Sequence, residues 1–207
     1  MTMTPGLRKF LLTTHIAVSV GWIGSVAAFV ALSLVALTSQ NAELVRGAYL
    51  FMNIVCLYIV VPLSLAALLT GLIQSLGTQW GLLRHYWVLM KLVMTIFAIV
   101  ILLFHQFSAM STAAKLVLEA PAGTLPNSEL GRLGFVLARA SLLSIPLLLT
   151  ITGLSVYKPW GLTGFGRESR KANTSWQGMK AIAAFVLVSL LVLALIVLHL
   201  TGHHPQH

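Results

Sequence analysis

The sequence predicts an all-α integral membrane bundle of five transmembrane helices. Three observations carry that reading. The 207 residues are 58% hydrophobic and 8% charged, with a mean hydropathy of +0.94, whereas a soluble domain carries about a quarter charged residues. Several apolar runs reach the ~20 residues that a helix needs to cross a bilayer. The runs are continuous rather than alternating, and hydrocarbon admits only helices or closed barrels. Residues 1–207 read as one transmembrane domain.

The first span is expected at about 7–37. Arg8 and Lys9 precede it as in a signal peptide, but the run from Phe10 to Leu37 far exceeds the 7–15 residues of a signal core, so it reads as a retained, tilted helix. The second is expected at about 47–76, with a kink at Pro62. The third covers about 85–107, with a helical continuation towards Leu118. The fourth covers about 130–157, with Pro146 near its middle, and the fifth about 179–200. Ala120–Ser128 and Lys158–Gln177 carry the Pro and Gly of loops. Gly21-x-x-x-Ser25, Gly24-x-x-x-Ala28, Gly71 and Gly153 are candidate points of close helix approach. Trp80, Trp87, Trp160 and Trp176 read as interface anchors and Trp22 as a core residue.

The net charge of +9 does not imply nucleic acid, because the cations lie mostly between spans, where they set orientation. Arg8, Lys9, Arg84, Lys158, Arg167, Arg170, Lys171 and Lys180 share one side of a five-span arrangement. Arg46, Lys115 and Arg132 fall on the other, offset by Glu43, Glu119 and Glu129. The expectation is a bacterial inner-membrane protein with a cytoplasmic N-terminus and a periplasmic tail bearing His203, His204 and His207. Cys56 is the only cysteine, which excludes a disulfide framework.

Ionisable residues inside spans are costly and mark candidate sites. Arg84, Lys91, Ala98 and His105 recur every seven residues and form one stripe on the third helix. His15 and Gln74 match Lys91 in depth, giving an inner cluster with Arg84 and His85 at its rim. Asn53, His105, Arg139 and His199 fall in the outer half. The four acidic residues all lie outside the span interiors, so Lys91 and Arg139 call for an anionic ligand group or for snorkelling to the headgroups. Histidines on neighbouring helices suit haem iron, and Arg or Lys suits its propionates. The sequence has no HExxH, no Gly-rich phosphate loop and no Ser-His-Asp set.

The stretches THIAVSVGWIGSVAAFVAL (14–31) and PLSLAALLTGLIQSLGTQWGLLRHYWVLMKLV (62–93) resemble a bacterial inner-membrane family known as a domain of unknown function. That family often has Pro where Gln79 stands here, in a TPWGL-type turn before RHYWVLxKL. More distantly, the His15-to-Trp22 and Gly24 pattern resembles the membrane-bound oxygen-independent protoporphyrinogen oxidase and copper-resistance D families. The oxidase resemblance implies haem b ligation by His15 and a functional role for Lys91; other signature residues of that family are missing, so its activity is not implied.

The leading expectation is therefore a b-type haem protein for intramembrane electron transfer or quinone- or porphyrin-type redox chemistry. Its candidate iron ligands are His15, His105 and His199, and its candidate anion partners are Lys91, Arg84 and Arg139. Two alternatives are a small-solute or copper-like metal-ion transporter and a non-catalytic subunit or assembly factor. Expected partners are the bilayer, haem or quinone, and a second copy or a membrane complex. Whether the protein is an enzyme stays open.

Overall fold

The computed structural model describes residues 3–77, 82, 84–121, 123–124, 128–159 and 161–163. Among these, four helices are long and apolar enough to cross a bilayer: Pro5–Thr38, Ala42–Gly77, Tyr86–Glu119 and Ser128–Tyr157. The expected fifth span, with His199 and the tail histidines, lies outside the described residues.

Local chemistry sets the helix ends. Pro5 opens the first helix, where its missing N–H costs nothing. With 34 residues this helix is ~51 Å long, against a hydrocarbon core of ~30 Å. It must therefore tilt or protrude. A three-residue break follows, and Asn41 Oδ1 accepts from the backbone N–H of Glu43 (3.0 Å) and Leu44 (3.2 Å) to start the second helix. His85, in extended backbone, starts the third. The fourth helix runs unbroken through Pro146 and stops at Lys158, whose φ of 42° is left-handed and whose neighbour is Pro159.

Two helices contain a wide π turn, one where a proline kink was expected and one where a straight α-helix was. In the second it covers Cys56–Val60, immediately before Pro62, and Val61 N–H bonds Cys56 O. Pro62 has no N–H for the carbonyl of Tyr58 and would crowd it in an α-helix. The wide turn takes up that conflict in place of the simple proline kink. In the third helix it covers Leu102–Gln106, with Phe107 N–H bonding Leu102 O. No proline explains the second case.

The helices alternate in direction. Met3 N–H bonds Gly77 O (3.3 Å), and Thr163 N–H bonds Arg84 O (2.9 Å), so the first and third helix starts and the second and fourth helix ends share one face of the bundle. That basic end holds Arg8, Lys9, Arg84 and Lys158. The opposite end mixes Arg46, Lys115 and Arg132 with Glu43, Glu119 and Glu129. The mixed-charge half is tightly packed around Phe29, Tyr49, Met52, Met110 and Leu137. Tyr49 Oη donates to Leu130 O (3.0 Å) in the space that Gly134 leaves, where a Cβ would collide with the phenol oxygen. Arg46 donates to Ala120 O (3.1 Å) and ties the loop after the third helix to the second. A second core, around Trp22, Val60, Ile99 and Leu148, lies towards the basic end. Large apolar side chains such as Phe10, Val20, Leu69, Phe104 and Leu142 point outward.

Candidate functional site

Near the basic end, His15 of the first helix meets the second helix at Thr70 and Gly71. Thr70 Oγ1 donates its one proton to Ala66 O (2.6 Å), so it accepts from His15 Nδ1–H (2.9 Å). The Ala67 backbone carbonyl also faces the imidazole, so the second helix holds the ring through both Thr70 and its own backbone. Gly71 makes room for the ring, because a Cβ there would sit 3.2 Å from His15 Cε1. Gln74 donates to Leu11 O (2.7 Å), one turn before His15. Lys91 Nζ lies 5.9 Å from the centroid of the Trp87 ring. His15 and Gln74 thus both bridge the first and second helices, and Thr70 is the member of this contact that sequence reasoning missed. His85 serves as the helix start, and its ring lies tilted 6.3 Å from Trp87. Arg84 offers its carbonyl to both the backbone and the hydroxyl of Thr163.

At mid-depth the four helices enclose a cavity of about 80 Å³, several times the ~10–15 Å³ that one water needs. Trp22, Cys56, Ala98, Gln106, Arg139 and Ser141 are among its walls. Both π turns border it, through Cys56, Val60, Leu102 and Gln106. Wide turns of this kind concentrate at functional positions.

The π turn in the third helix changes which residue faces inward. A π turn adds one residue to the helix, so every position beyond it rotates by ~100°. The seven-residue stripe therefore runs from Lys91 and Ala98 to Gln106, not to His105. Ala98 and Gln106 share the cavity wall, and His105 is not among its described lining residues. Gln106 is 7% exposed. Its Nε2 donates to Ser141 Oγ (2.8 Å) and approaches Leu137 O (3.4 Å), while Ser141 donates to Leu137 O (2.7 Å). Both groups facing Nε2 act as acceptors, so the amide orientation is fixed. Its Oε1 is buried and accepts no hydrogen bond. His105 Nδ1 is also buried without a partner. Arg139 also lines the cavity, and its guanidinium lies over the Phe135 ring at 5.1 Å, outside the described lining. Asn53 is half-buried, and its carbonyl accepts from Cys56 N–H at the entry to the first π turn.

Among the described residues, His15 and His105 are not placed to share one iron. No group of three or more His, Cys, Asp or Glu side chains is placed to hold a metal among them. His15 lies towards the basic end, as does Lys91 on the third helix, and His105 is fourteen residues beyond Lys91, or ~21 Å. One iron cannot bridge that distance. The cavity has no histidine among its described walls. His199, the remaining candidate ligand, lies outside the described residues.

Gln106 and Ser141 were not singled out by the sequence. Gln106 is conspicuous as an amide in an apolar run, but the seven-residue spacing drew the choice to its neighbour. No protein-family model, curated protein or solved structure matches this chain.

Proposed function

We propose that this chain is a multi-pass protein of the bacterial inner membrane that holds a lipid-soluble small molecule in its mid-depth cavity. The observation that carries the reading is the cavity between the four helices, lined largely by apolar side chains, with the buried Gln106 amide on its wall and the Gln106 acceptor unmet behind it. A buried acceptor without a partner is costly unless something else supplies the donor. Sites of this type are mostly apolar and carry a few placed polar groups. Intramembrane redox chemistry is the setting that best accommodates such a ligand. The charge pattern supports a cytoplasmic basic end: it carries Arg8, Lys9, Arg84 and Lys158 with no acidic residue among those described, while the other end is mixed.

Trp22 on the cavity wall provides the test. With Trp80, Trp87, Trp160 and Trp176 replaced by Phe, bromobenzene should quench Trp22 fluorescence saturably. Ala140→Phe, which fills the cavity, should abolish the saturable phase. Quenching that rises only linearly, as simple partition into lipid would give, refutes the reading.

A second reading, haem b at His15, is favoured by the ring itself. Its Nδ1–H is engaged by Thr70, and an engaged ring nitrogen of this kind is how ligand histidines are oriented. Oxidised and reduced visible spectra of protein expressed with ample haem test it. A haem signal that survives His15→Ala removes His15 as the ligand.

A further inference from the structure

We propose that the cavity takes the end of a phospholipid acyl chain, which enters from the bilayer between the third and fourth helices. This rests on the reading of the cavity as a binding site for a lipid-soluble molecule, and it names the part of that molecule which the site holds.

The opening follows from which walls are covered. On the first and second helices the lining residues Trp22, Phe29, Cys56 and Val60 are buried. On the third and fourth, Ile101, Leu143 and Leu147 line the same cavity and are part-exposed, Leu143 by 37%. Their chain neighbours Val100 and Leu142 are exposed as well. Among the described residues, the cavity therefore faces the bilayer along the seam between the third and fourth helices. The chemistry of the wall excludes a headgroup. Gln106 Nε2 donates to Ser141 Oγ (2.8 Å), Ser141 spends its proton on Leu137 O (2.7 Å), and Ser144 spends its own on Ser141 O (2.7 Å). Gln106 Oε1 is buried, with no surface open to the cavity. The Arg139 guanidinium lies over Phe135, which is not among the described lining. A headgroup brought here would give up water for a wall that offers it neither a hydroxyl proton nor an open amide. Hydrocarbon gives up nothing and gains contact with Val26, Val60, Leu102 and Leu148. An unfilled cavity would forfeit those contacts. Depth selects the part of the chain. Mid-depth lies about 15 Å from either headgroup layer of a ~30 Å hydrocarbon core, which is where acyl chains end. A volume of about 80 Å³ takes the end of one chain and not a whole lipid.

The experiment is fluorescence of the full chain with Trp22 as its only tryptophan, in vesicles of phosphatidylcholine brominated either near the end of one acyl chain or near its ester bond. Trp22 is 5% exposed, so lipid around the bundle is kept from the indole, and bromine quenches only on close approach. Chain-end bromine should quench most of the Trp22 emission, and bromine near the ester little of it. With plain lipid mixed in, the emission should fall in proportion to the brominated fraction, as one chain in one site gives. Ala140→Phe, which fills the cavity, should restore the emission. Ala98→Phe fills it from the third helix and serves if Ala140→Phe does not fold. No quenching by chain-end bromine overturns the inference, whether the expected fifth span or a free small molecule then holds the place. Quenching that the cavity-filling variants leave unchanged also overturns it, because bromine then reaches the indole from outside the cavity. In either case, saturable quenching of Trp22 by bromobenzene would show that the apolar site stands and only its acyl-chain assignment fails; linear quenching would show that both fail.

Discussion

Tyr49 and Gly134 illustrate how much one missing methyl group can decide. Tyr49 is 1% exposed, and its hydroxyl reaches Leu130 O only because Gly134 has no side chain. Gly134→Leu should destabilise the bundle by about 1–3 kcal/mol through overpacking. Tyr49→Phe should cost less, about 1 kcal/mol, the scale of one interhelical hydrogen bond in a membrane. Unfolding in mixed detergent micelles measures both, and an equal cost would mean that the glycine's role is not steric. His15 makes a different kind of prediction. Its tautomer is set by the Thr70 hydroxyl, so Thr70→Val should turn a single Nδ1-protonated species into a mixture. Nitrogen NMR of histidine-labelled protein reads this directly, and an unchanged tautomer would show that another group fixes the ring. Gly24 and Gly153, which the sequence offered as approach points, have open space where a Cβ would stand among the described residues. Gly21 and Gly71 do meet a neighbouring helix, at Leu63 and His15.

The third helix carries its own test at the scale of an element. Its π turn, Leu102–Gln106, separates a half that faces the cavity from a half packed through Met110, Ala113, Ala114 and Val117. If the turn is one inserted residue, deleting Leu103, which points outward, should restore a continuous α-helix while both halves keep their faces. The expected melting temperature lies within a few degrees of the parent. Deleting Val93 from the straight part instead rotates everything beyond it by ~100° and should abolish folding. Equal outcomes for the two deletions would refute the register argument. The same turn explains why a seven-residue repeat misled: the repeat assumes a uniform helix, and one wide turn hands the inward position from His105 to Gln106.

The arrangement of the whole bundle predicts a topology. With Cys56→Ala as background, a cysteine at Ser39 should react with a water-soluble maleimide from outside intact cells, and one at Lys158 only after lysis. The opposite pattern would invert the orientation. Packing is uneven along the membrane normal. The mixed-charge half is a dense core stapled by Tyr49 and Arg46. The basic half carries the polar residues His15, Gln74 and Lys91, and the cavity lies between the two.

The sequence by itself determined the all-α class, the positions of four long apolar helices and the placement of His15 and Gln74 at the contact between the first two of them. Apolar run length, helical rise and the cost of buried charge are local or one-dimensional properties, so they are legible without coordinates. Only the tertiary structure decided that Thr70 holds His15, that Gln106 replaces His105 on the inner face, and that Gln106 bonds Ser141 beside a cavity. A hydrogen bond between helices depends on their relative rotation. That rotation is set by packing against neighbours and by two wide turns, which no single residue type in the sequence announces.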